Sequence, residues 1–181
     1  PSRASGLATS KDPALAGVDP SRFHPIPQSE ARRALGYADE DCIILFVGNV
    51  QASKGCMELV QAFAKLRDRV PRLKLVFVGA GPQQKALSSE CTTRGIAQDV
   101  TFAGRLAHDQ IVRWFGAADV FCLPSHAEGV PNVVLEAMAC GTPVVASNAA
   151  SLPEIVGDAG LQLDPHDIGA WSAALRRALA D

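Results

Sequence analysis

Apolar residues along this chain fall into short unbroken runs separated by longer stretches of mixed polarity. Ile43-Ile44-Leu45-Phe46-Val47 and Leu75-Val76-Phe77-Val78 are two such runs, too continuous for strands with one wet face. They read as strands buried on both sides. The same reading places strands at Cys42 to Val47, Leu73 to Val78, Val100 to Ala103, Val120 to Leu123, Pro143 to Ala146 and Leu161 to Leu163. Between them, helical patterning predicts a short helix capped by Ser29 and running through Leu35, then Lys54 to Val70, Pro82 to Arg94 and His108 to Ala117. Further helices are expected at Pro131 to Cys140, near Pro153 to Val156, and from Asp167 to Leu179. Gly141 past the end of the fifth of these is an ordinary helix stop.

Helices intervening between buried strands predict an α/β fold: a doubly wound, Rossmann-like parallel sheet of about six strands with helices on both faces. Residues 1–27 carry Pro, Ser and Gly with little periodicity and read as a linker with an opening turn at Gly17-Val18-Asp19-Pro20. The folded domain is therefore expected over 28–181. A chain of 181 residues with 48% hydrophobic content buries one good core.

A net charge of -2 gives no electrostatic footprint for nucleic acid. Lys65, Arg67, Arg69, Arg72 and Lys74 form a local basic stretch, read first as a solvated helix face and second as a membrane contact. The five cysteines are odd in number, far apart and mostly within apolar runs, which suits reduced core residues. His24, His108, His126 and His166 are scattered, and Cys122 with His126 is a lone pair, so a zinc site is not expected. Neither a signal peptide nor a bilayer-length apolar run is present, and a cytoplasmic location is the expectation.

Doubly wound sheets bind ligands outside the carboxyl ends of their strands, where the loops 48–55, 79–82, 104–107 and 124–131 should converge. Two glutamates, Glu128 and Glu136, lie eight residues apart across the last of these loops and the apolar helix after it. Burying a charge at Glu136 is costly without a partner, which makes a ligand hydroxyl an attractive one. That helix start has Val130 at the expected cap position and Asn132 as its one nearby polar substitute, so its N–H groups are left for an anionic or polyhydroxylic ligand. Lys54 at a helix start opposes the helix dipole. A phosphate beside it would reconcile the two; an exposed surface lysine is the competing reading. Gly79-Ala80-Gly81-Pro82 is not the dinucleotide fingerprint, since Gln84 replaces its last glycine, and Gly48 to Gly55 is not a Walker loop. The carboxylate pair also invites comparison with glycoside hydrolysis, but one member sits in a loop and the other inside a helix, so they address different parts of a long ligand. His126 falls in the expected cleft without needing a function there, and Glu154 reads as a first-turn helix residue.

Several ordered motifs together carry a resemblance. They are Gly17-Val18-Asp19 with Phe23 and Pro25, Phe46-Val47-Gly48 through Lys54-Gly55, Val78-Gly79-Ala80-Gly81-Pro82, Ala118-Asp119-Val120 with Leu123-Pro124-Ser125, and the glutamate pair ending in Glu136-Ala-Met-Ala-Cys-Gly-Thr-Pro-Val-Val145. In these the chain from about Gly17 to Asp181 resembles the C-terminal, nucleotide-sugar-binding domain of a family 4 (glycogen-synthase-like) retaining glycosyltransferase of the GT-B fold. The resemblance implies that Glu136 accepts hydrogen bonds from the ribose and that Glu128 meets the donor sugar. It places the backbone at Gly129, Val130, Asn132 and Val133 around sugar and phosphate oxygens. Gly48, Asn49, Lys54 and Gly79 would lie along the donor, and Arg105 and Leu106 against the base. Lys54 and Glu128 would be the catalytic pair.

No cofactor or metal is implied beyond the NDP-sugar substrate, and the Asp39-Glu40-Asp41 run lies at the wrong end of the sheet for a metal-dependent GT-A site. The implied partners are an N-terminal acceptor domain not contained in these residues and a glycan or lipid-linked acceptor, with peripheral membrane contact. By itself the fragment is expected to transfer no sugar. Two departures stand out: Asn49 where many relatives carry arginine, and Pro131 where many carry glycine. A nucleotide-sugar epimerase and a non-catalytic nucleotide-binding module are the alternatives.

Overall fold

The structure is a computed structural model and describes residues 17–127 and 131–180. Six parallel strands form one sheet in the order β3-β2-β1-β4-β5-β6. They are β1 (Cys42–Val47), β2 (Leu73–Val78), β3 (Val100–Gly104), β4 (Val120–Leu123), β5 (Val144–Ser147) and β6 (Leu161–Leu163). The helices are α1 (Gln28–Leu35), α2 (Cys56–Leu66), α3 (Gln84–Thr93), α4 (Ile111–Ala117), α5 (Asn132–Ala139), α6 (Leu152–Val156) and α7 (Ile168–Ala178). Right-handed crossovers put α2 and α3 on one face and α4, α5 and α6 on the other. α7 returns to pack on α2, and α1 packs on α4. This is the predicted doubly wound sheet covered on both sides. Strand succession runs outward in one direction from β1 and in the other from β4, so the switch point lies between those two strands.

The continuous apolar runs are the central strands, as expected. Residues 43–46 of β1 and 75–77 of β2 are wholly buried, and β1 pairs with β2 from Cys42↔Leu73 to Val47↔Val78. That register lines up Phe46 with Phe77, and Phe77 with Phe102 of β3. The rings sit 5.4 and 5.2 Å apart between centroids, a ladder across three strands.

Local chemistry moves several boundaries. Ser29 is not the cap of α1; Pro27 stands at that position, and no side chain caps the helix. Lys54 does not begin α2. It closes a 3-10 turn over Ala52–Lys54, and Gly55 in the left-handed region then redirects the chain into α2 at Cys56. The stretch from His108 divides into a 3-10 turn over His108–Gln110 and then α4. β5 starts one residue late because Pro143 has no N–H for the ladder, although its carbonyl accepts from Phe121 N. Val18 and Phe23, in the segment expected to lead into the domain, are themselves buried core residues.

Under the amino-terminal edge of the sheet lies a buried ion pair. Arg32 on α1 is 4% exposed, and its Nη2 donates to Asp119 Oδ2 at 2.6 Å while its Nε donates to the Ala117 carbonyl. The same Asp119 oxygen accepts from Ile43 N at 2.7 Å, so one carboxylate joins α1, β1 and the start of β4. Removing it strands a buried guanidinium. Asp119→Ala should therefore lower unfolding free energy by about 3–5 kcal/mol in urea denaturation, and a loss under about 1 kcal/mol would contradict this role.

Cys56, Cys91, Cys122 and Cys140 are buried and unpaired. Burial pushes the Cys56 and Cys140 thiols up to about 12 and the Cys122 thiol higher still. The folded chain thus keeps protons that the unfolded chain releases near pH ~8.5. Their stabilisation is complete below that pH and is lost as pH rises toward the folded values, at about 1.4 kcal/mol per pH unit for each thiol. Urea midpoints measured from neutrality to pH ~10.5 should fall above ~8.5, with a shallower fall in Cys122→Ala. Identical slopes in the two proteins would refute the assignment.

Candidate functional site

At the carboxyl edge of the sheet the loops are zipped together by backbone contacts that leave no room for side chains. Gly79 (φ 134°) donates its N–H to Gly104 O at 2.8 Å, and a Cβ there would sit 1.9 Å from the Gly48 carbonyl. Val50 N bonds Ala80 O, and Gln83 N bonds Val50 O. Across the switch point, a Cβ on Gly55 (φ 66°) would sit 2.0 Å from the Pro124 carbonyl, and His126 N donates to Ser53 O at 2.8 Å. The expected convergence of loops on one edge is thus observed. Glycine is required at these positions by close approach as well as by backbone angle.

A cavity of about 340 Å³ opens where β1 and β4 part company. Gly48, Asn49 and Lys54 reach it from the loop after β1, and Pro131, Asn132, Val133 and Glu136 from the start of α5. Val47, Ile111 and Leu123 supply apolar wall. Lys54 and Glu136, two of the charges singled out from sequence, therefore share one hollow. α5 begins with Pro131 at its cap position and no side-chain cap, one residue later than expected. Val134 N donates to the Pro131 carbonyl at 2.9 Å, so the N–H groups left without an acceptor inside the helix are those of Asn132 and Val133, whose turn forms part of the wall. A larger hollow of about 460 Å³ lies between α2 and α7, walled in part by Lys65, Arg69 and Arg176, but none of it comes from the loops at the switch point.

Glu136 is 8% exposed, as its apolar surroundings implied. Its partner is not left to a ligand, however: His108 Nε2 lies 2.7 Å from Glu136 Oε1. The other ring nitrogen, Nδ1, lies 3.1 Å from Arg22 Nη1. A guanidinium only donates, so Nδ1 accepts and the ring proton sits on Nε2, which donates to Glu136. Phe23 packs against the same imidazole at 4.9 Å between centroids. The sequence contained no sign of this chain of contacts, because Arg22, His108 and Glu136 are brought together only by the packing of three separate segments.

The remaining predicted positions divide. Gly79 serves loop packing, while Arg105 is exposed and Leu106 packs against the core; the three do not appear on the cavity wall among the described residues. Glu128, Gly129 and Val130 lie outside the described residues. His126 sits by Glu58 and His166 rather than in the wall. In the basic stretch, Arg67 and Lys74 both pair with Asp99, and Arg72 pairs with Asp41. Three of its five cations are thus engaged by carboxylates, which favours the reading as an ordinary surface. Among the described residues no helix is long and apolar enough to cross a membrane.

Strand order, crossovers and a cavity at the switch point define the class: a Rossmann-like α/β domain that presents its site at the carboxyl edge of the sheet. Residues 27–181 match the family described as glycosyl transferases group 1, and the chain belongs to that family. It is 37% identical over 175 residues to D-inositol 3-phosphate glycosyltransferase of Acidothermus cellulolyticus, covering 90% of this chain and 39% of that protein. Among solved structures, sucrose-phosphate synthase from Thermosynechococcus elongatus superposes with a TM-score of 0.82 at 32% identity, covering 92% of this chain and 42% of the other. Anabaena HepE, crystallised with UDP and glucose, superposes with a TM-score of 0.76 at 25% identity, over 97% of this chain and 47% of that one. The chain thus spans about two-fifths of the length of the curated relatives it matches. The expected family of domain and its GT-B-type fold both hold.

The His108–Glu136 contact is testable by a double-mutant cycle. His108→Leu and Glu136→Gln should each destabilise the fold, with a coupling of about 1 kcal/mol in urea unfolding. Additive losses would show that the two side chains do not support one another.

Proposed function

We propose that the cavity between β1 and β4 holds the NDP-sugar donor of a family 4 retaining glycosyltransferase. The observation that carries this reading is the meeting of Lys54, Glu136 and the uncapped start of α5 around one hollow at the switch point. Those groups match the donor in charge and hydrogen-bonding character. A diphosphate gains from Lys54 and from the positive end of α5, and the ribose gains from a carboxylate held still by His108. A carboxylate has lone pairs for several donors, so Glu136 keeps capacity for hydroxyls beyond the His108 bond. Support also comes from Anabaena HepE, a structural relative bound to UDP and glucose.

On this reading Lys54 acts on the transition state. Negative charge accumulates on the diphosphate as the bond to the anomeric carbon breaks, and a cation already in place stabilises that charge without reorganisation. Asn49 adds a neutral donor where many relatives carry an arginine. Glu128 is assigned to the hydroxyls of the transferred sugar from its place in the motif. The transfer calls for no metal, since lysine and helix amides supply the positive field. The acceptor, a glycan or lipid-linked glycan, is met by a further domain, and the 181 residues alone bind donor without turning it over. Work in the cytoplasm completes the proposal.

Calorimetric titration of the chain with UDP, GDP, ADP and their sugars tests it. One base should bind saturably, and Lys54→Ala and Glu136→Ala should each weaken binding by about tenfold or more, the loss of a charged hydrogen bond. Affinity unchanged in both variants would instead favour a module whose ligand lies elsewhere.

A further inference from the structure

Away from the donor cavity, three side chains from distant segments meet on the α2–α7 side of the molecule. They are Glu58 in the first turn of α2, His126 in the connection after β4, and His166 in the turn before α7. Each offers one ligand atom, and these atoms all lie within 4.8 Å of one another. We propose that Glu58, His126 and His166 form a binding site for a zinc-class divalent transition metal that fastens the β4–α5 connection to α2 and to the β6–α7 turn.

The donor set suits such an ion. Two imidazoles and one carboxylate are borderline ligands that select zinc and its neighbours over magnesium or calcium, which prefer oxygen. Three ligands leave a fourth position for water. Donors roughly 2.0–2.2 Å from a tetrahedral ion stand roughly 3.4 Å apart; here His126 Nε2 and Glu58 Oε1 are 3.1 Å apart and all three groups offer a ligand atom within 4.8 Å of the others.

Their present geometry is poorly explained by direct pairing. His126 Nε2 is buried and lies 3.1 Å from Glu58 Oε1, yet it has no hydrogen-bond partner among the described residues. Nitrogen and oxygen are close without forming a hydrogen bond, which leaves the buried nitrogen open to a metal ion. The His126 and His166 rings stand 4.5 Å apart between centroids at 45°, which is not a hydrogen-bonded arrangement either.

The backbone under each ligand is already held. His126 N donates to Ser53 O at 2.8 Å, and His166 N donates to Asp164 Oδ1 at 2.9 Å. In the same turn, Asp167 N bonds Asp164 O. Glu58 stands in the first turn of a helix whose inner face is buried core. Little backbone ordering remains for an ion to impose, which favours binding. Because His126 precedes Glu128 by two residues, an ion here would also hold one end of the segment that carries the glutamate assigned to the donor sugar.

Titration of the 181-residue chain with ZnSO4 by calorimetry, and with MgCl2 as a comparison, decides the matter. One zinc per chain should bind and raise the midpoint of thermal unfolding, with magnesium having no effect. His166→Ala and Glu58→Gln should each weaken zinc binding by about tenfold or more, at least the loss that follows removal of a supporting partner. Cobalt(II) in place of zinc should show a spectrum without a thiolate charge-transfer band, because the five cysteines take no part. Absence of saturable zinc binding would overturn the proposal. So would binding unaltered in both variants, or a thiolate band from the cysteines.

Discussion

Everything at the carboxyl edge depends on how closely the loop backbones approach one another. With a side chain at Gly79 the loop after β2 would collide with the Gly48 carbonyl, and with one at Gly55 the entry to α2 would collide with Pro124. These contacts are what hold the Gly48–Lys54 segment against the ends of β2, β3 and β4. Lys54 reaches the cavity because the 3-10 turn and Gly55 deliver it there, rather than because it heads a helix. A parallel sheet supplies such an edge at every α/β switch point; the glycines make this one tight enough to keep a lysine in register with a helix start on the other side of the gap.

Charge burial follows the same economy at both ends of the sheet. Beneath it, Asp119 is satisfied by Arg32 and by the Ile43 amide, so the charge joins three elements instead of destabilising them. At the upper edge, Glu136 is still more buried and is held through His108, which in turn faces Arg22. The contrast lies in what each carboxylate meets. Asp119 is enclosed by protein donors, whereas Glu136 forms part of a cavity wall. A partly satisfied, rigidly placed carboxylate is suited to recognising hydroxyls, because less freedom is lost when the ligand arrives.

Two residues of the cavity wall set its local chemistry. Asn49 gives a neutral donor beside Lys54, and Pro131 fixes the start of α5 while withholding one N–H. The triad of Glu58, His126 and His166 lies away from this wall, on α2, the connection after β4 and the turn before α7. Changes there would act on the site through the placement of backbone and not through contact with a ligand.

The order and type of the elements were legible from the sequence because they rest on local rules. Buried parallel strands need unbroken apolar runs, and β1, β2, β4 and β6 begin and end where the runs do. Strand-loop-helix order placed Lys54, Asn132 and Glu136 at the carboxyl edge, the family resemblance added Gly48, Asn49 and Val133, and all six line the cavity. Helix boundaries were less so: Ser29, Lys54 and Val130 have the right chemistry or position for a helix start, but the observed starts at Gln28, Cys56 and Asn132 were settled by Gly55, by the two prolines and by packing. What tertiary structure alone decided was pairing. His108 with Glu136, Asp99 with Arg67 and Lys74, and His126 with Glu58 and His166 join residues many positions apart, and periodicity along a chain has no term for which side chains meet once the helices have crossed the sheet.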